Sequence, residues 1–562
     1  MHFKPPFTDI DINVSNGGFY KGYSLPIALI SKIGMALLVI WAAIWPEQAK
    51  QVLSSLNGAL LNNFNAFYII AVGIFMVFCF VIAIIPSSGR RILGKPGEKP
   101  EFSTFSWFAM MFGAGLGVGL MVYATAEPMG LWGSNPEIVK GAVQPNTPEA
   151  VQSAYRYTFL HYGFHAWAIY VVTGLSMAYY AFRRDMPLTI RSALTPVLGR
   201  WINGPLGHLV DILGVVATVL GISVTIGFGV SQFVDGVYSI SGMEWLMQPG
   251  AEAGSPPTPS TAGLIVALVI IMGLSTISAV SGVGRGVKYL SNLNLVLSMI
   301  LIGVFILFGS FGFAAKTYGT AFIDYVVHLP QLSFIAYPVD TEVGSWQKGW
   351  TTFYWAWWIA FAPFVGLFLA RISRGRSIRE FVLGAVIAPS LVCFLWMTAL
   401  GGTAIDLELS GVAGGKIIEA TTTNKLFATM GFMFDGQILY ALTVMCVVLI
   451  LTFLVTSADS GVLVLNTIMA GGSIDTAIKH RIIWGVLMTM VIATLLLAGG
   501  GGLSALQNAM IIGALPFTVV MVIMCISLAK ALLRDDVRDG HLSPEELQAR
   551  YLAEQQEKAA QA

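Results

Sequence analysis

"WTTFYWAWWIAFAPFVGLFLARISRGR", residues 350–376, decides how this chain is read. From Trp350 to Phe364 it holds four tryptophans, one tyrosine, three phenylalanines and no charge. The first basic residue is Arg371, and Arg374, Arg376 and Arg379 follow it. An uncharged run of about 20 residues is the length that crosses the hydrocarbon core as a helix, and a basic cluster at its end marks the cytoplasmic side. Leucine and isoleucine would suffice to build such a span, so the surplus of aromatic faces asks for a further reason.

The rest of the chain has the same character. Its 562 residues are 56% hydrophobic and only 11% charged, where a soluble chain carries about 25% charge. The pattern predicts an all-α polytopic membrane protein with about 12 spans, near 25–45, 66–86, 105–130, 157–182, 208–238, 261–280, 290–314, 349–370, 380–402, 437–466, 482–499 and 505–532. The N-terminus is polar for two dozen residues, so no cleavable signal peptide is read there. Lysine and arginine number 31 against 30 acids, a balance that suggests no nucleic-acid partner. Cys79, Cys393, Cys446 and Cys525 all fall in apolar spans and imply no disulfide framework.

The connections at 87–104, 183–207 and 371–379 are basic, whereas 239–260 has no lysine or arginine. The positive-inside rule makes the basic ones cytoplasmic, and an even number of spans then places both termini in the cytoplasm of a cell carrying the protein in its inner (plasma) membrane. The less apolar stretch 316–348 reads as an amphipathic connection lying along the outer interface, in contact with membrane lipids. The segments 1–24 and 533–562 read as cytoplasmic ends.

Three spans break the usual rules of a membrane helix. In "MMFGAGLGVGLMVYATAEP", 110–128, glycine recurs at 113, 115, 117 and 119. Each costs about 1 kcal/mol of helix propensity relative to alanine. Such a run favours unwinding, which at membrane depth is tolerated only against protein or a wet cavity. A small-residue packing face is the competing reading; a dinucleotide fingerprint lacks its preceding strand. In "HYGFHAWAIY", 161–170, a single helix would set Tyr162, Tyr170 and Trp167 on one side, at roughly 0°, 80° and 140°. Trp357, Trp358 and Phe361 fall within an arc of about 100° on the opening span. An interfacial aromatic belt is the better reading for Trp350 and Tyr354, while Trp358 sits too deep for a belt and serves either packing or a ligand. In "LTFLVTSADSG", 451–461, Thr456 and Ser457 precede Asp459, an acid inside a span. Such acids mark ion or substrate pathways or pair with a neighbouring helix. His161 and His165 have no partner at metal-ligand spacing and read as hydrogen-bonded packing residues. No nucleophile–base pair or phosphate-binding loop is read, so no enzymatic activity is expected.

Together these stretches resemble the betaine/choline/carnitine transporter family. "FYWAWWIAFAPFVGLFLARISRGRSIREF", 353–381, looks like that family's signature, and "SGVGRGVKYLSNLN", 281–294, also fits. The resemblance implies a LeuT-type core of two inverted five-helix repeats, here 105–315 and 349–532, preceded by two extra helices in 25–104, and a homotrimer. It implies sodium-coupled symport of a betaine-like zwitterion, most simply glycine betaine, with no cofactor beyond Na+ as coupling ion. Within the fold the alternative is a carrier of dimethylsulfoniopropionate or carnitine, the latter by sodium-independent exchange; from other classes, a channel or a membrane-embedded enzyme.

The resemblance also assigns residues. It places the substrate against Tyr162, Trp167, Tyr170 and Trp358, with Trp357 and Phe361 along the path and the backbone of Gly115, Gly117 and Gly119 receiving the solute's carboxylate. Tyr162 and Phe361 stand where tryptophan is usual in betaine carriers, and Gly119 where choline carriers place an aspartate. Sodium would meet Gly113, Leu116, Phe453, Thr456 and Ser457. A second sodium site keeps Thr218 but meets Ile222 where a hydroxyl is needed, and reads as incomplete. These assignments give the aromatic surplus a purpose: a methylated ammonium has no N–H to donate, and neutral π-faces attract it at about 0.5–2 kcal/mol each without burying an acid.

Overall fold

The computed structural model describes residues 7–115, 117–250, 254–281, 286–500 and 503–539, with isolated positions in the tail beyond. Among them are fifteen helices of twelve or more residues. In chain order these are α1 (Leu25–Ile44), α2 (Pro46–Ile84), α3 (Thr104–Gly115), α4 (Val118–Gly133), α5 (Ala150–Tyr162), α6 (Phe164–Arg184), α7 (Pro205–Ser241), α8 (Thr261–Ser281), α9 (Gly286–Phe308), α10 (Phe311–Phe334), α11 (Phe353–Ile372), α12 (Ile378–Leu409), α13 (Gly436–Met469), α14 (Ile478–Ala498) and α15 (Ser504–Asp539). A two-stranded antiparallel pairing, Met247–Gln248 with Thr258–Pro259, is a minor addition between α7 and α8. The protein is an all-α polytopic membrane protein.

Ten helices (α1, α2, α7, α8, α9 and α11–α15) are long and apolar enough to cross a membrane. The remaining two of the segments read as spans are divided. The glycine-rich one separates into α3 and α4, with Gly117 extended at φ −127° and ψ −157°. The next separates into α5 and α6 at Gly163. There the chain admits no side chain: a Cβ would lie 2.3 Å from Phe159 O and 2.7 Å from the Phe394 ring.

Among the boundaries that differ from the hydropathy reading, three have a clear physical reason. Helix α2 begins at Pro46, about twenty residues early, because "PEQAKQVLSSLNGALLNNFN" is polar yet rich in good helix formers. The segment read as 290–314 ends at Phe308, where Gly309 presses against Thr403 and the Ser310 N–H donates to Thr403 Oγ1 at 3.2 Å. Helix α11 is preceded without a break by the helix Glu342–Gln347, capped by Thr341, and a π-helical turn over Lys348–Thr352. This moves the start of the eighth span outward and drives its aromatic residues deeper.

Burial separates an inner set of helices from a rim. On α11, 17 of 20 residues are buried, and α6 is buried from Phe164 to Ala181. Helices hydrophobic on every side belong inside a bundle. By contrast α1 exposes Ile30, Ile33, Leu37 and Ile40, and α8 exposes Val266, Val269, Ile270 and Ile277, the apolar faces a lipid-facing helix presents. The inner pair meets through small residues: a Cβ at Gly174 of α6 would lie 2.9 Å from Gly366 O of α11, and one at Gly366 would lie 2.8 Å from Thr173 Cβ.

This contact generates a test of the core. Gly174→Val must push α6 off α11, and overpacking of this kind costs about 1–3 kcal/mol. The thermal unfolding midpoint in detergent should fall, whereas Gly273→Val, where nothing lies within 4 Å of the added carbon, should leave it unchanged.

Candidate functional site

Among the described residues, the inner helices line a cavity where the start of α4, the α5–α6 junction, α7, α11, α12 and α13 converge. Seven of its fifteen lining residues are aromatic: Tyr162, Tyr170, Tyr354, Trp357, Trp358, Phe361 and Phe364. Gly117, Gly119, Thr225 and Ser457 join them with the apolar Val118, Leu120, Val365 and Cys393, and none of the fifteen lining residues is charged. The space available to the centre of a water-sized sphere is about 70 Å³. One such sphere needs roughly 10–15 Å³, so a small organic solute fits.

Trp358 is the hub of the wall. Its ring centroid lies 6.0 Å from Tyr162, 5.7 Å from Trp167 and 4.9 Å from Tyr170. Reading 161–170 as one helix was wrong, since Gly163 divides it. The three residues nevertheless converge, because Tyr162 ends α5 and the other two begin α6. Trp167 does not line the cavity; fully buried, it stands edge-on behind Tyr170 and Trp358. Trp357 is held by its indole N–H, which donates to Thr225 Oγ1 at 3.0 Å, and its ring stacks 5.5 Å from Phe228. A Cβ at Gly119 would meet only the Trp357 ring, with Cη2 at an ordinary 3.5 Å and Cζ2 at 3.8 Å.

The residues expected to meet sodium are placed as follows. Gly113 and Gly115 lie in α3, Gly115 as its last residue. Leu116 lies outside the described residues. Phe453, Thr456 and Ser457 share one turn of α13. Thr456 Oγ1 donates to Thr452 O at 2.9 Å or Phe453 O at 3.2 Å and accepts from Asn294 Nδ2 at 3.2 Å. Ser457 Oγ faces the helix break, 3.7 Å from where a Gly117 Cβ would stand. Neutral hydroxyl and carbonyl oxygens fit a hard cation. Elsewhere, Thr218 Oγ1 donates back to Gly214 O at 2.7 Å, and Ile222 fills the space against Gly461, where a Cβ would lie 2.3 Å from Ile222 Cδ1.

Behind the wall lies a polar network that the sequence reading missed. Glu127 of α4 is fully buried. His161 Nδ1 sits 2.6 Å from its Oε1, the Tyr354 hydroxyl donates to its Oε2, and His161 Nε2 is 3.0 Å from Thr351 Oγ1. The Tyr162 hydroxyl donates in turn to that of Tyr354 at 3.4 Å. Tyr354 is therefore a cavity residue and not part of an interfacial belt, because the preceding turns carry the helix outward. Both histidines are hydrogen-bonded packing residues as expected: His161 through Glu127 and Thr351, and His165 2.8 Å from Ser333 Oγ and stacked on Trp355. The signal was present: Glu127 in "YATAEP" is an acid inside an apolar span. Asp459, the acid that was singled out, pairs with the neighbouring helix through Ser278 Oγ at 2.5 Å.

A broken helix facing an uncharged aromatic cavity in a multi-pass bundle is the arrangement of a solute carrier. The sequence profile of the betaine/carnitine/choline family transporters matches residues 26–537. The chain belongs to that family. Among its relatives, a glycine betaine transporter of Bacillus subtilis is 38% identical over 501 residues, covering 89% of this chain and 93% of the relative. Glycine betaine transporter 1 of Vibrio parahaemolyticus is 37% identical over 524 residues, 92% of this chain and 94% of the relative. A glycine betaine/proline/choline transporter from the same organism is 35% identical over 516 residues, 90% and 89% of the two chains.

The buried network makes its own prediction. Glu127→Ala leaves His161 and Tyr354 without their acceptor at full burial, a defect worth about 1–3 kcal/mol for each unmet group. Expected are a lowered unfolding midpoint and solute uptake reduced at least about tenfold. Glu127→Gln keeps an oxygen for Tyr354 and should fall between the two. Wild-type uptake by Glu127→Ala would contradict the network's role in setting the wall.

Proposed function

We propose that this chain is a sodium-coupled symporter that carries a zwitterionic quaternary-ammonium solute, glycine betaine, across the plasma membrane. The observation that carries this reading is the uncharged aromatic cavity set against an interrupted helix. A trimethylammonium group is a permanent cation with no N–H, so its available attraction is to π-faces, at about 0.5–2 kcal/mol each. Tyr162, Tyr170, Trp357 and Trp358 present such faces around one space, with Trp167 buttressing them from behind. The solute's carboxylate would turn toward the backbone N–H groups at the start of α4, around Gly117–Gly119, as helix N-termini receive anions. Two of the relatives above are named glycine betaine transporters, which supports this choice of solute.

Sodium would bind beside the break, between the α3–α4 junction and the Phe453–Ser457 turn, where it stabilises the same backbone that receives the solute. With Ile222 packed on Gly461, no second ion is drawn to Thr218, and the expected coupling is near one sodium per solute. In this reading the two divided segments complete twelve crossings arranged as two inverted repeats, both termini are cytoplasmic, and three copies assemble. Dimethylsulfoniopropionate or carnitine is the second reading, favoured by tyrosine and phenylalanine at 162 and 361 in the cavity wall.

Uptake of labelled solutes into proteoliposomes, with and without an inward sodium gradient, tests the reading. Concentrative, sodium-dependent glycine betaine uptake is expected; equal uptake without the gradient would overturn the coupling. In the same assay Trp358→Leu should raise the apparent KM about tenfold or more, with Trp358→Phe doing less harm. Normal transport by Trp358→Leu at low solute would refute the cage.

Charge selection gives a second test. An aspartate at position 119 has room beside Trp357, and in a poorly solvated cavity its charge would repel a solute carboxylate strongly. The wild type should therefore reject choline, while Gly119→Asp weakens glycine betaine uptake and admits choline. Choline competing as well as glycine betaine in the wild type would refute the assignment.

A further inference from the structure

The connection between α6 and α7 is folded, and it leaves a tryptophan in the open. A 3₁₀ turn Arg191–Leu194, a helical turn Thr195–Leu198 and a second 3₁₀ turn Gly199–Asn203 lead directly into α7. A buried ion pair fixes them to that helix. Arg191 Nε donates to Asp211 Oδ2 at 2.6 Å with both side chains fully buried, and the Arg191 backbone N–H donates to Asp211 Oδ1 at 3.2 Å. Arg191 Nη2 also stands 3.0 Å from His208 Nδ1. Ala193, Leu194 and Ile202 are fully buried beneath. On this support Val197, Trp201, Leu206 and Leu209 stay exposed, Trp201 over 75% of its surface. Large apolar side chains left open on a rigid platform mark a surface that meets something else.

Helix α15 sets the depth of this platform. Its exposed apolar residues Val519, Ile526, Leu533 and Val537 recur at helical spacing on one face, the stripe that a membrane span turns to lipid. Lys530 lies in the same stripe, and its ammonium donates to Pro196 O at 2.7 Å. A lysine so placed lays its stem along hydrocarbon and holds its charge at the level of the headgroups. Pro196 therefore stands at that level, with Val197 beside it and Trp201 one helical turn on. Charge agrees with this position: from Met186 to Val210 there is no aspartate or glutamate, and the exposed Arg200 adjoins Trp201. The acidic N-terminal segment is held at Asn203 instead, whose Nδ2 donates to Asp9 O at 3.0 Å and whose Oδ1 accepts from the Asp11 N–H at 3.3 Å. Tryptophan beside arginine, continuous with a lipid-facing stripe, is the composition of a membrane–water interface.

We propose that Val197 and Trp201 insert into the headgroup–acyl boundary of the adjoining leaflet, so that the α6–α7 connection is a membrane anchor and not a free loop. The test places a nitroxide at Trp201→Cys in the full-length protein, held in nanodiscs of phosphatidylcholine and phosphatidylglycerol. Wild type, whose four cysteines are buried, is carried through the same labelling as the blank. Collisions with oxygen, which concentrates in hydrocarbon, are compared with collisions with a neutral nickel chelate, which stays in water. The label at 201 should be reached by oxygen well above the chelate, as for Ile526→Cys on the lipid stripe. It should be shielded from the chelate at least several-fold relative to Asp475→Cys, an exposed position between α13 and α14. If Trp201→Cys does not fold, Val197→Cys carries the same measurement. Chelate access equal to that at 475 would overturn the proposal. So would spin–spin broadening that vanishes on dilution with unlabelled protein, which would put a second copy on this face, or shielding lost on deleting 540–562, which would put the chain's own tail there.

Discussion

Hydrocarbon offers no partner to a free N–H or C=O, and the rest of this structure follows from that constraint. A chain that crosses a bilayer must stay helical unless protein or enclosed water replaces the lost bonds. Of the two interruptions, Gly117 lines the cavity, and Gly163 directly follows Tyr162, which lines it too. The first brings the backbone at the start of α4, Gly117 to Leu120, into the cavity wall. The second lets Tyr162 leave the direction of the helix that carries Trp167 and Tyr170. The break points therefore create the site as well as border it.

Around this space the polar and apolar parts are kept in order. The wall that a solute would touch is uncharged, while Glu127 and His161 sit behind it and anchor Tyr354 and, through it, Tyr162. The indole of Trp357 is held in the same manner by Thr225. Aromatic rings on bare helices would rotate among rotamers; rings with a fixed polar tip present one face. Gly174 and Gly366 contribute at the level of the helices, since the near contact they allow between α6 and α11 brings Trp358 within reach of three rings from the fourth segment.

Much of this was legible in the residues. The membrane class followed from low charge and long apolar runs, and the unwound glycine stretch from repeated helix-breaking cost. The hub at Trp358 followed from its depth and the resemblance. What was not legible depended on helix direction and on contacts between distant segments. Tyr354 looked interfacial because the polar residues from Glu342 onward gave no hydropathy signal that the helix continued outward. Tyr162, Trp167 and Tyr170 were placed on one face by an angular argument that Gly163 invalidates, yet they meet because the two half-helices converge on Trp358. Glu127 was legible as an acid inside an apolar span, but its partners were not: His161 and Tyr354 lie 34 and 227 positions away in sequence, a distance no local pattern spans.

The absence of charge from the cavity wall has an electrical consequence. A membrane potential does work only on net charge that moves through it, about 2.3 kcal/mol per elementary charge per 100 mV. An empty carrier whose cavity wall is neutral displaces no charge of that wall when the cavity changes sides, so its return meets little electrical resistance at either sign of the potential. A zwitterion held there adds none. Voltage dependence of the cycle would then arise away from the wall, from a charged species that crosses with the solute or from movement of buried charged groups such as Glu127 and Asp459.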